Sequence, residues 1–339
     1  MSPPTHVQEV VFAARPVGAL VASEVFRLET VPYHLQVGEG EALVQTLYLS
    51  IDAGFRAFLD EGTQLTIPLG EVMRGSGVGV VREVGTGSKV AVGDYVYYRP
   101  GWRDWGVYKV DTLKVLLLPI GVQLVDYVGA LGSSGLSAYI GLTVIGKIKR
   151  GETLVVSSAA GAVGHLVCQM GKLLGARVIA IAGSPLKCEV LEREFGVDKA
   201  LNYKAPTFYD DLKAIGGIDV YFDNVGGEML DFVMTQMKQF GRIVACGTIS
   251  RINGKEPPGL RNYMNLIVQS AKIEGFFLHH YAQFYPAALE QISSWLADGK
   301  LKRKLNILDG LDKAPQALED MFTKGFVGKV CVRLAEVDD

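Results

Sequence analysis

The chain has 339 residues, 49% of them apolar, which is enough for a large buried core and for two domains. Lysine and arginine number 34 against 36 aspartates and glutamates, and the formal charge of −2 excludes the basic surface of a nucleic-acid-binding protein. The N-terminal stretch MSPPTHVQEV has no signal-peptide pattern, and the four cysteines form no CxxC pair. We therefore expect a cytoplasmic globular protein with reduced thiols.

Short strand-like segments separated by glycine turns occupy residues 1 to about 125. The segments are EALVQTLYLSID, GSGVGVVREVG, DYVYYRPG and WGVYKVD, and their spacing predicts an antiparallel, barrel-like unit. The next segment, residues 127–146, is uncharged and long enough to suggest a membrane span. Its five glycines and three serines instead favour buried structure in a protein without a membrane partner.

From about Gly151 the pattern changes to apolar strands alternating with helical segments. The six strands are predicted at TLVVS, RVIAIA, KALNY, DVYFD, RIVACG and KIEGFFL, which indicates a parallel, doubly wound sheet. An amphipathic helix is predicted from Tyr285 to Leu301. The tail GKVCVRLAEV is predicted as a strand, and its pattern fits an extension of the parallel sheet as well as a return to the N-terminal unit.

A glycine turn follows the first of these six strands. Gly161 and Gly164 precede a helical segment that ends near Gly175. A tight turn of this kind lets a diphosphate approach the backbone at the positive end of the helix. With strand, turn, helix and second strand at the expected spacing, the pattern predicts a dinucleotide site.

The end of the second strand indicates which dinucleotide binds. An acidic residue there bonds the ribose hydroxyls of NAD and repels a 2′-phosphate, but this chain has Ser184 and Lys187 instead. We predict NADP(H), the alternative being that Lys187 is a surface lysine near a helix start. Asn224, in FDNVGG after the fourth strand, is a candidate for bonding a ribose or the nicotinamide amide, or it forms an Asx turn.

Metal ligands are missing where a catalytic zinc would need them. There is no histidine between His34 and His165 and no cysteine before Cys168, so the N-terminal part offers no His/Cys ligand set. His279 and His280 would point to opposite faces of an extended chain. We expect His165 to be a helix-surface or packing residue, and we predict no metal site.

Several motifs together resemble those of the zinc-independent medium-chain dehydrogenase/reductases, in particular the NADPH-dependent alkenal double-bond reductases and prostaglandin reductases. The motifs are AAGAVG, GSPLK, LNYK, FDNVGGE, FGRIVACGTIS and EGFF, preceded by VMRGSGVGVV, PGWRDWGVY and SGLSAYIGL. The resemblance implies an α/β protein with a GroES-like β-barrel catalytic domain and a Rossmann-type NADP-binding domain. The first would comprise residues 1–125, with 305–339 returning to it, and the second residues 126–304.

The resemblance also implies roles for residues around the cofactor. Those expected to cover the pyrophosphate are Gly161, Ala162, Val163 and Gly164. Those expected around the 2′-phosphate are Ser184, Lys187 and Tyr203, although Tyr203 is also compatible with an aromatic at the core edge. Those expected along the path to the nicotinamide and near its ring are Asn224, Cys246, Gly247, Tyr139 and Met73.

The chain departs from the family pattern at three positions. A tyrosine that often follows the LSID strand is replaced by Gly54, while the arginine of the same motif remains as Arg56. Val268 replaces a second tyrosine, and Phe326 replaces an asparagine. We take Arg56 as a candidate catalytic residue with Tyr139, the alternative for Arg56 being a structural ion pair.

The predicted activity is the NADPH-dependent reduction of a C=C bond conjugated to a carbonyl, as in enones and enals. Hydride would reach the β-carbon, and the enolate would be held by hydrogen bonds from Tyr139 or the cofactor ribose. The alternatives are a quinone oxidoreductase and a non-catalytic NADPH-binding protein. The resemblance further implies a homodimer through the edge strand near KIEGFFL.

Overall fold

The chain forms two compact units in the computed structural model, which describes residues 4–33, 36–62, 65–251 and 259–337. The first unit comprises Met1–Gly129, Leu305–Phe326 and Val330–Asp339, and the second comprises Ala130–Lys304 and Val327–Lys329. A three-residue piece of the tail thus belongs to the second unit. That the functional domains divide after residues 125 and 304 stays a prediction.

The N-terminal part of the first unit is built from strands. Its strands and one short helix are β1 (His6–Phe12), α1 (Ala22–Val25), β2 (Phe26–Pro32), β3 (Glu41–Ile51), β4 (Gly77–Val84), β5 (Tyr95–Tyr98), β6 (Trp105–Lys109) and β7 (Lys114–Val115). Among the described residues, 3₁₀ helices lie between these elements at Ala53–Leu59 and Val110–Thr112, and a further one follows β7 at Leu124–Val128. The long strand β3 is buried along almost its whole length and pairs antiparallel with β4 and β6.

Strands and helices alternate in the second unit. Its first elements are α2 (Ser133–Ile140), which continues into a π-helical turn at Gly141–Ile145, then β8 (Thr153–Val156), α3 (Gly164–Leu173), β9 (Arg177–Ala182), α4 (Pro185–Arg193), β10 (Lys199–Asn202) and α5 (Phe208–Lys213). Next come β11 (Ile218–Asp223), α6 (Gly227–Met234), β12 (Met237–Ala245), a 3₁₀ helix (Ile249–Arg251), α7 (Met264–Val268), β13 (Lys272–Gly275), a 3₁₀ helix (Leu278–Phe284) and α8 (Tyr285–Ala297).

The tail adds β14 (Leu305–Asp309), α9 (Lys313–Thr323) and β15 (Lys329–Arg333). Strand β15 pairs antiparallel with β3, with Val330 opposite Ile51 and Arg333 opposite Tyr48. The apolar side chains of β15 are buried against the same sheet. The tail therefore joins the N-terminal sheet and does not extend the parallel one.

The second unit contains a six-stranded sheet within the described residues, in the order β10-β9-β8-β11-β12-β13. Its pairings are parallel, and all six predicted strands are present. The strand order reverses between β8 and β11, and ligands bind such sheets at the carboxyl ends of the strands beside that reversal. The α/β fold class predicted from the sequence is confirmed.

Helix α8 ends earlier than its amphipathic pattern predicted. The helix stops at Ala297, and the amide groups of Lys300 and Leu301 both donate to the carbonyl of Trp295. Gly299 makes this cap possible because its φ of +66° lies in the left-handed region that glycine adopts without strain. Leu301 is buried although it lies beyond the end of the helix, and for this reason the apolar pattern of the sequence extends to it.

No helix in the described ranges combines the length and the apolar character that a membrane crossing requires. The uncharged segment 127–146 contains the end of a 3₁₀ helix, then α2 and its π-helical turn, and most of its residues are buried in the protein.

Candidate cofactor site

The glycine turn lies between the end of β8 and the start of α3. A Cβ atom at Gly164 would overlap the carbonyl oxygen of Ser158 and stand 2.7 Å from the Cα atom of Ala159. Residues 161–163, by contrast, are partly exposed and present no long side chain. The exposed backbone at the positive end of a ten-residue helix fits an anionic group such as a diphosphate.

His165 holds this turn from the protein side. Its Nδ1 lies 2.9 Å from the carbonyl oxygen of Gly161 and must donate, because a carbonyl only accepts. The side chain is 2% exposed, which fits the packing role expected for it. Gln169, one turn further along α3, bonds the carbonyl of His165 at 3.3 Å and both backbone groups of Lys302.

A second support reaches the turn from the tail. The amide of Gly328 donates to the carbonyl of Ala160 at 2.8 Å, and the amide of Lys329 donates to the carbonyl of Lys304 at 2.8 Å. A Cβ atom at Gly328 would overlap the Lys304 carbonyl, so these chain segments lie in close backbone contact. The sequence motif alone gave no signal for this support.

The burial of His165 predicts a pH-dependent stability. Burial lowers the pKa of His165 from 6.5 to about 4, so below pH 6.5 the unfolded chain binds a proton that the folded protein does not. Stability should therefore fall as the pH falls from about 6.5 towards 4. Replacing His165 by Gln removes this titrating group. When the pH is lowered from 7.5 to 5, wild type should therefore lose about 2 kcal/mol more stability than His165→Gln.

Urea unfolding of both proteins at the two pH values measures this difference. Wild type and variant that lose stability in parallel would show that His165 is not buried in its neutral form. Cys168→Ala is the control, because it alters the same helix without adding a titrating group.

The ends of β9 and β10 meet beside the start of α4. Ser184 caps α4, and its Oγ accepts from the amide of Lys187 at 3.3 Å. The amide of Tyr203 donates to the carbonyl of Ala182 at 3.0 Å, and a Cβ atom at Gly183 would stand 2.8 Å from Cε1 of the Tyr203 ring. The structure thus brings the three predicted 2′-phosphate residues to the same edge of the sheet.

Lys187 lacks an acidic partner there. Within the described part of the chain it forms no ion pair with an aspartate or glutamate, and it is partly buried. Its pKa is lowered by burial first and then by the positive charge of Lys204, the last residue of the LNYK motif, which had no predicted role. The edge therefore carries positive charge in a position that suits a phosphate.

Asn224 joins the ends of β8 and β11. Its Nδ2 donates to the carbonyl of Ser157 at 2.8 Å, and its amide donates to the Ser157 hydroxyl at 2.9 Å. This use of the side-chain NH₂ group leaves the carbonyl oxygen of the same side chain for a ligand. The proposed contact of Asn224 with the cofactor stays a prediction.

Asp223 organises the turn that follows and was missed from the sequence. Its Oδ1 accepts from the amides of Val225 and Gly226 at 3.0 and 2.9 Å, and from the Ser157 hydroxyl at 3.2 Å. Burial raises the pKa of this carboxyl. The Asx-turn signal in FDNVGG thus belongs to Asp223, one residue before the asparagine considered for it.

Cys246 and Gly247 follow β12 at the same edge. Their amides both donate to the carbonyl of Asp223, at 2.9 and 3.1 Å, and a Cβ atom at Gly247 would stand 3.1 Å from the carbonyl oxygen of Asn224. Burial raises the pKa of the Cys246 thiol to about 12, which keeps the sulfur neutral at physiological pH. A neutral thiol and a glycine therefore add no charge at this edge of the sheet.

Tyr139 lies on α2 of the second unit and is partly exposed. Its ring packs against Trp295 of α8 with 6.0 Å between ring centroids. It is therefore fixed by an aromatic neighbour, while no hydrogen bond of its hydroxyl is formed within the described residues. Its catalytic role stays a prediction.

The two candidates of the first unit are both buried. Met73 is fully buried in the core cluster that contains Trp102. Arg56 pairs with Asp60, with Nη1 and Oδ1 2.5 Å apart, and its Nη2 donates to the carbonyl of Gly18 at 3.2 Å. These contacts favour the structural alternative for Arg56, and Phe326, the residue that replaces an asparagine, packs against the same core.

The described residues contain no group of three or more His, Cys, Asp or Glu side chains arranged to hold a metal ion. Cys168 and Cys331 are buried, and Cys188 and Cys246 are partly exposed.

A parallel sheet of this order, with a glycine turn and a phosphate-suited edge at its carboxyl ends, defines a dinucleotide-binding protein. Comparison with known families agrees. Residues 162–294 match the model described as zinc-binding dehydrogenase, and residues 8–116 match the N-terminal domain of oxidoreductase.

Individual relatives extend over most of the chain. A 2-alkenal reductase (NADP(+)-dependent) of Nicotiana tabacum is 37% identical over 91% of this chain and 92% of its own. An NADPH-dependent curcumin reductase of Escherichia coli is 35% identical over 97% of both chains. The crystal structure of CurA in complex with NADPH from Vibrio vulnificus superposes with a TM-score of 0.89 at 33% identity, covering 97% of this chain and 100% of that one. The chain belongs to the zinc-independent medium-chain dehydrogenase/reductase family, as its motifs indicated, and is an oxidoreductase.

Proposed function

We propose that this protein is an NADPH-dependent reductase of C=C bonds conjugated to a carbonyl group, as in enones and enals. The observation that carries the cofactor part of the proposal is the edge formed by β9 and β10, where Lys187 and Tyr203 have no opposing carboxylate among the described residues. The names of the tobacco and Escherichia coli relatives support the substrate class.

The cofactor is NADPH. A 2′-phosphate distinguishes it from NADH, and the positive charge at the end of β9 favours the phosphorylated form. The relatives named as NADP-dependent and the similar CurA structure with NADPH agree with this assignment. We propose that residues 161–164 bind its diphosphate and that Ser184, Lys187 and Tyr203 bind its 2′-phosphate.

Bound NADPH would supply a hydride to the β-carbon of the substrate, and a proton from water would then add to the α-carbon, which completes the reduction of the C=C bond. The contribution of the chain is to bind and orient both molecules and to stabilise the negative charge that develops on the substrate oxygen. We propose that the Tyr139 hydroxyl donates a hydrogen bond to this oxygen. Because conjugation spreads the charge over an enolate, a hydrogen bond can give the stabilisation that an alkoxide would need from a metal.

The origin and destination of the hydride test this function. The protein is incubated with an enone and with NADPH deuterated at the 4R or the 4S position, and the product is examined by NMR. Deuterium from one of the two cofactors is expected on the β-carbon, with the carbonyl intact. Deuterium on the carbinol carbon, or turnover only with quinones, would contradict the proposal, and a protein that binds NADPH without turnover would support the non-catalytic alternative.

The proposed reaction requires no metal. We expect full activity after exhaustive dialysis against a chelator, because the sequence before Cys168 offers no His/Cys ligand set for a catalytic zinc. Metal analysis by mass spectrometry before and after dialysis accompanies the assay. A stoichiometric zinc whose removal abolishes turnover would show that this expectation is wrong.

We also propose a homodimer through β13. This strand is the last of the parallel sheet within the described residues, so its outer edge has no strand partner there. On α7, the helix that precedes this strand in the chain, Ile267 and Val268 are 68% and 69% exposed. Sedimentation analysis should give twice the chain mass for wild type and the monomer mass for a double variant with Ile267→Lys and Val268→Lys, and a monomeric wild type would contradict the proposal.

A further inference from the structure

A second lysine stands beside the proposed 2′-phosphate site. Lys204 follows β10, and its backbone amide donates to Oδ1 of Asn202 at 3.1 Å, which fixes the turn that carries it. Its Nζ lies 5.9 Å from the centroid of the Tyr203 ring. The ammonium group is thus held by an aromatic face and a local turn at the carboxyl edge of the sheet.

Lys204 and Lys187 carry like charges, which repel each other. The Tyr203 ring links the two sites: Lys204 Nζ lies 5.9 Å from its centroid, and a Cβ atom at Gly183, directly before the start of the helix that carries Lys187, would stand 2.8 Å from Cε1 of the same ring. In agreement with this placement, the charge of Lys204 lowers the pKa of Lys187, after the larger effect of burial. Other lysines of the second unit do pair with carboxylates, as in the contacts of Lys172 with Asp198 and of Lys238 with Asp219, both at 2.7 Å. Within the described ranges, neither Lys187 nor Lys204 forms such a pair.

Two like charges brought together without an acidic partner are stabilised when an anion binds between them. A phosphate monoester carries a charge of about −1.5 to −2 at neutral pH, which matches two lysines better than one. The 2′-phosphate of the proposed cofactor is such a group. Without a bound anion, by contrast, a solvated lysine next to a second, half-buried lysine does not stabilise the protein.

We propose that Lys204 is a specificity-determining residue for the cofactor, which binds the same 2′-phosphate as Lys187 and is held in place by the Tyr203 ring. The inference rests on the proposed NADPH-dependent function and extends it to a residue outside the GSPLK motif. Lys187 is then the partly buried cation of the pair, and Lys204 is the exposed one, placed to approach the phosphate from the side of β10.

Binding of cofactor fragments tests the proposal without requiring turnover. Calorimetry compares adenosine 2′,5′-bisphosphate with adenosine 5′-monophosphate on wild type, on Lys204→Gln and on the control Lys199→Gln. Lys199 is also exposed but lies at the opposite end of β10. Lys204→Gln is expected to weaken the bisphosphate about tenfold, with little change for the monophosphate, and to reduce the salt dependence of bisphosphate binding.

The control variant should bind both fragments as wild type does. Unchanged bisphosphate affinity in Lys204→Gln, or an equal loss for both fragments, would overturn the role of Lys204. If wild type itself did not distinguish the two fragments, the assigned cofactor would also be wrong, so failure of the inference and failure of the proposed function give different results. Thermal unfolding of the three proteins verifies that the comparison is made on folded protein.

Discussion

Replacement of Gly164 by alanine is expected to destabilise the protein by about 2–4 kcal/mol and to abolish measurable NADPH binding. The added Cβ would overlap the Ser158 carbonyl and press on the Cα atom of Ala159, and these are backbone atoms that no side-chain rotation can move away. The gain in helix propensity from glycine to alanine, at most about 1 kcal/mol, does not offset this overlap. Urea unfolding and cofactor titration measure the two effects.

Two further variants distinguish an effect on stability from an effect on NADPH binding. Gly259→Ala is the matched control, since a Cβ at that position meets no atom within 4 Å, and it should change neither quantity. In Gly161→Ala the new atom would stand 3.2 Å from the Ser158 oxygens on the partly exposed side of the turn. We expect near wild-type stability there but at least roughly tenfold weaker NADPH binding, because the methyl group occupies the approach of the diphosphate.

If Gly161→Ala bound NADPH as tightly as wild type, the glycine turn would not be the diphosphate site. If Gly164→Ala were as stable as wild type, the close packing of α3 on the end of β8 would not be a constraint on this sequence.

The second large effect is expected at the 2′-phosphate. Lys187→Ala should reduce the ratio of kcat/KM for NADPH to that for NADH by roughly 10- to 150-fold, because a charge-assisted contact worth about 1.5–3 kcal/mol is lost for one cofactor only. The effect should appear in KM rather than in kcat, since the phosphate lies far from the reacting carbon and binds equally in the ground and transition states.

Arg193→Ala provides the control for Lys187→Ala. It removes a positive charge from the last turn of the same helix, α4, and leaves the start of the helix unchanged. The cofactor ratio should then stay at the wild-type value. An unchanged ratio in Lys187→Ala, or an equal loss in both variants, would mean that Lys187 does not contact the 2′-phosphate.

The strands of the parallel sheet were predictable because their signal is local. Buried strands such as TLVVS and RVIAIA are short apolar runs. The tight turn after β8 requires glycine, and glycine can be read directly from the sequence. The absence of a carboxylate after β9 is likewise a property of a single position. Family motifs then supplied the cofactor class, which the relatives bear out.

Contacts between distant parts of the chain were not predictable in this way. The apolar pattern of α8 ran on to Leu301 because a buried residue after a helix looks the same as one within it. Arg56 looked equally suited to a substrate and to an ion pair, and only its contacts with Asp60 and Gly18 favoured the pair.

The sequence by itself determined the α/β fold, the order of its strands and helices, the glycine turn and the positive residue at the phosphate edge. Only the tertiary structure decided that β15 pairs with β3, that Gly328 and His165 support the turn, that Asp223 organises the turn after β11, and that Lys204 lies over the Tyr203 ring. The physical reason is that strand periodicity and turn geometry depend on neighbouring residues. Hydrogen bonds and charge pairs between remote segments depend instead on which surfaces the folded chain brings together.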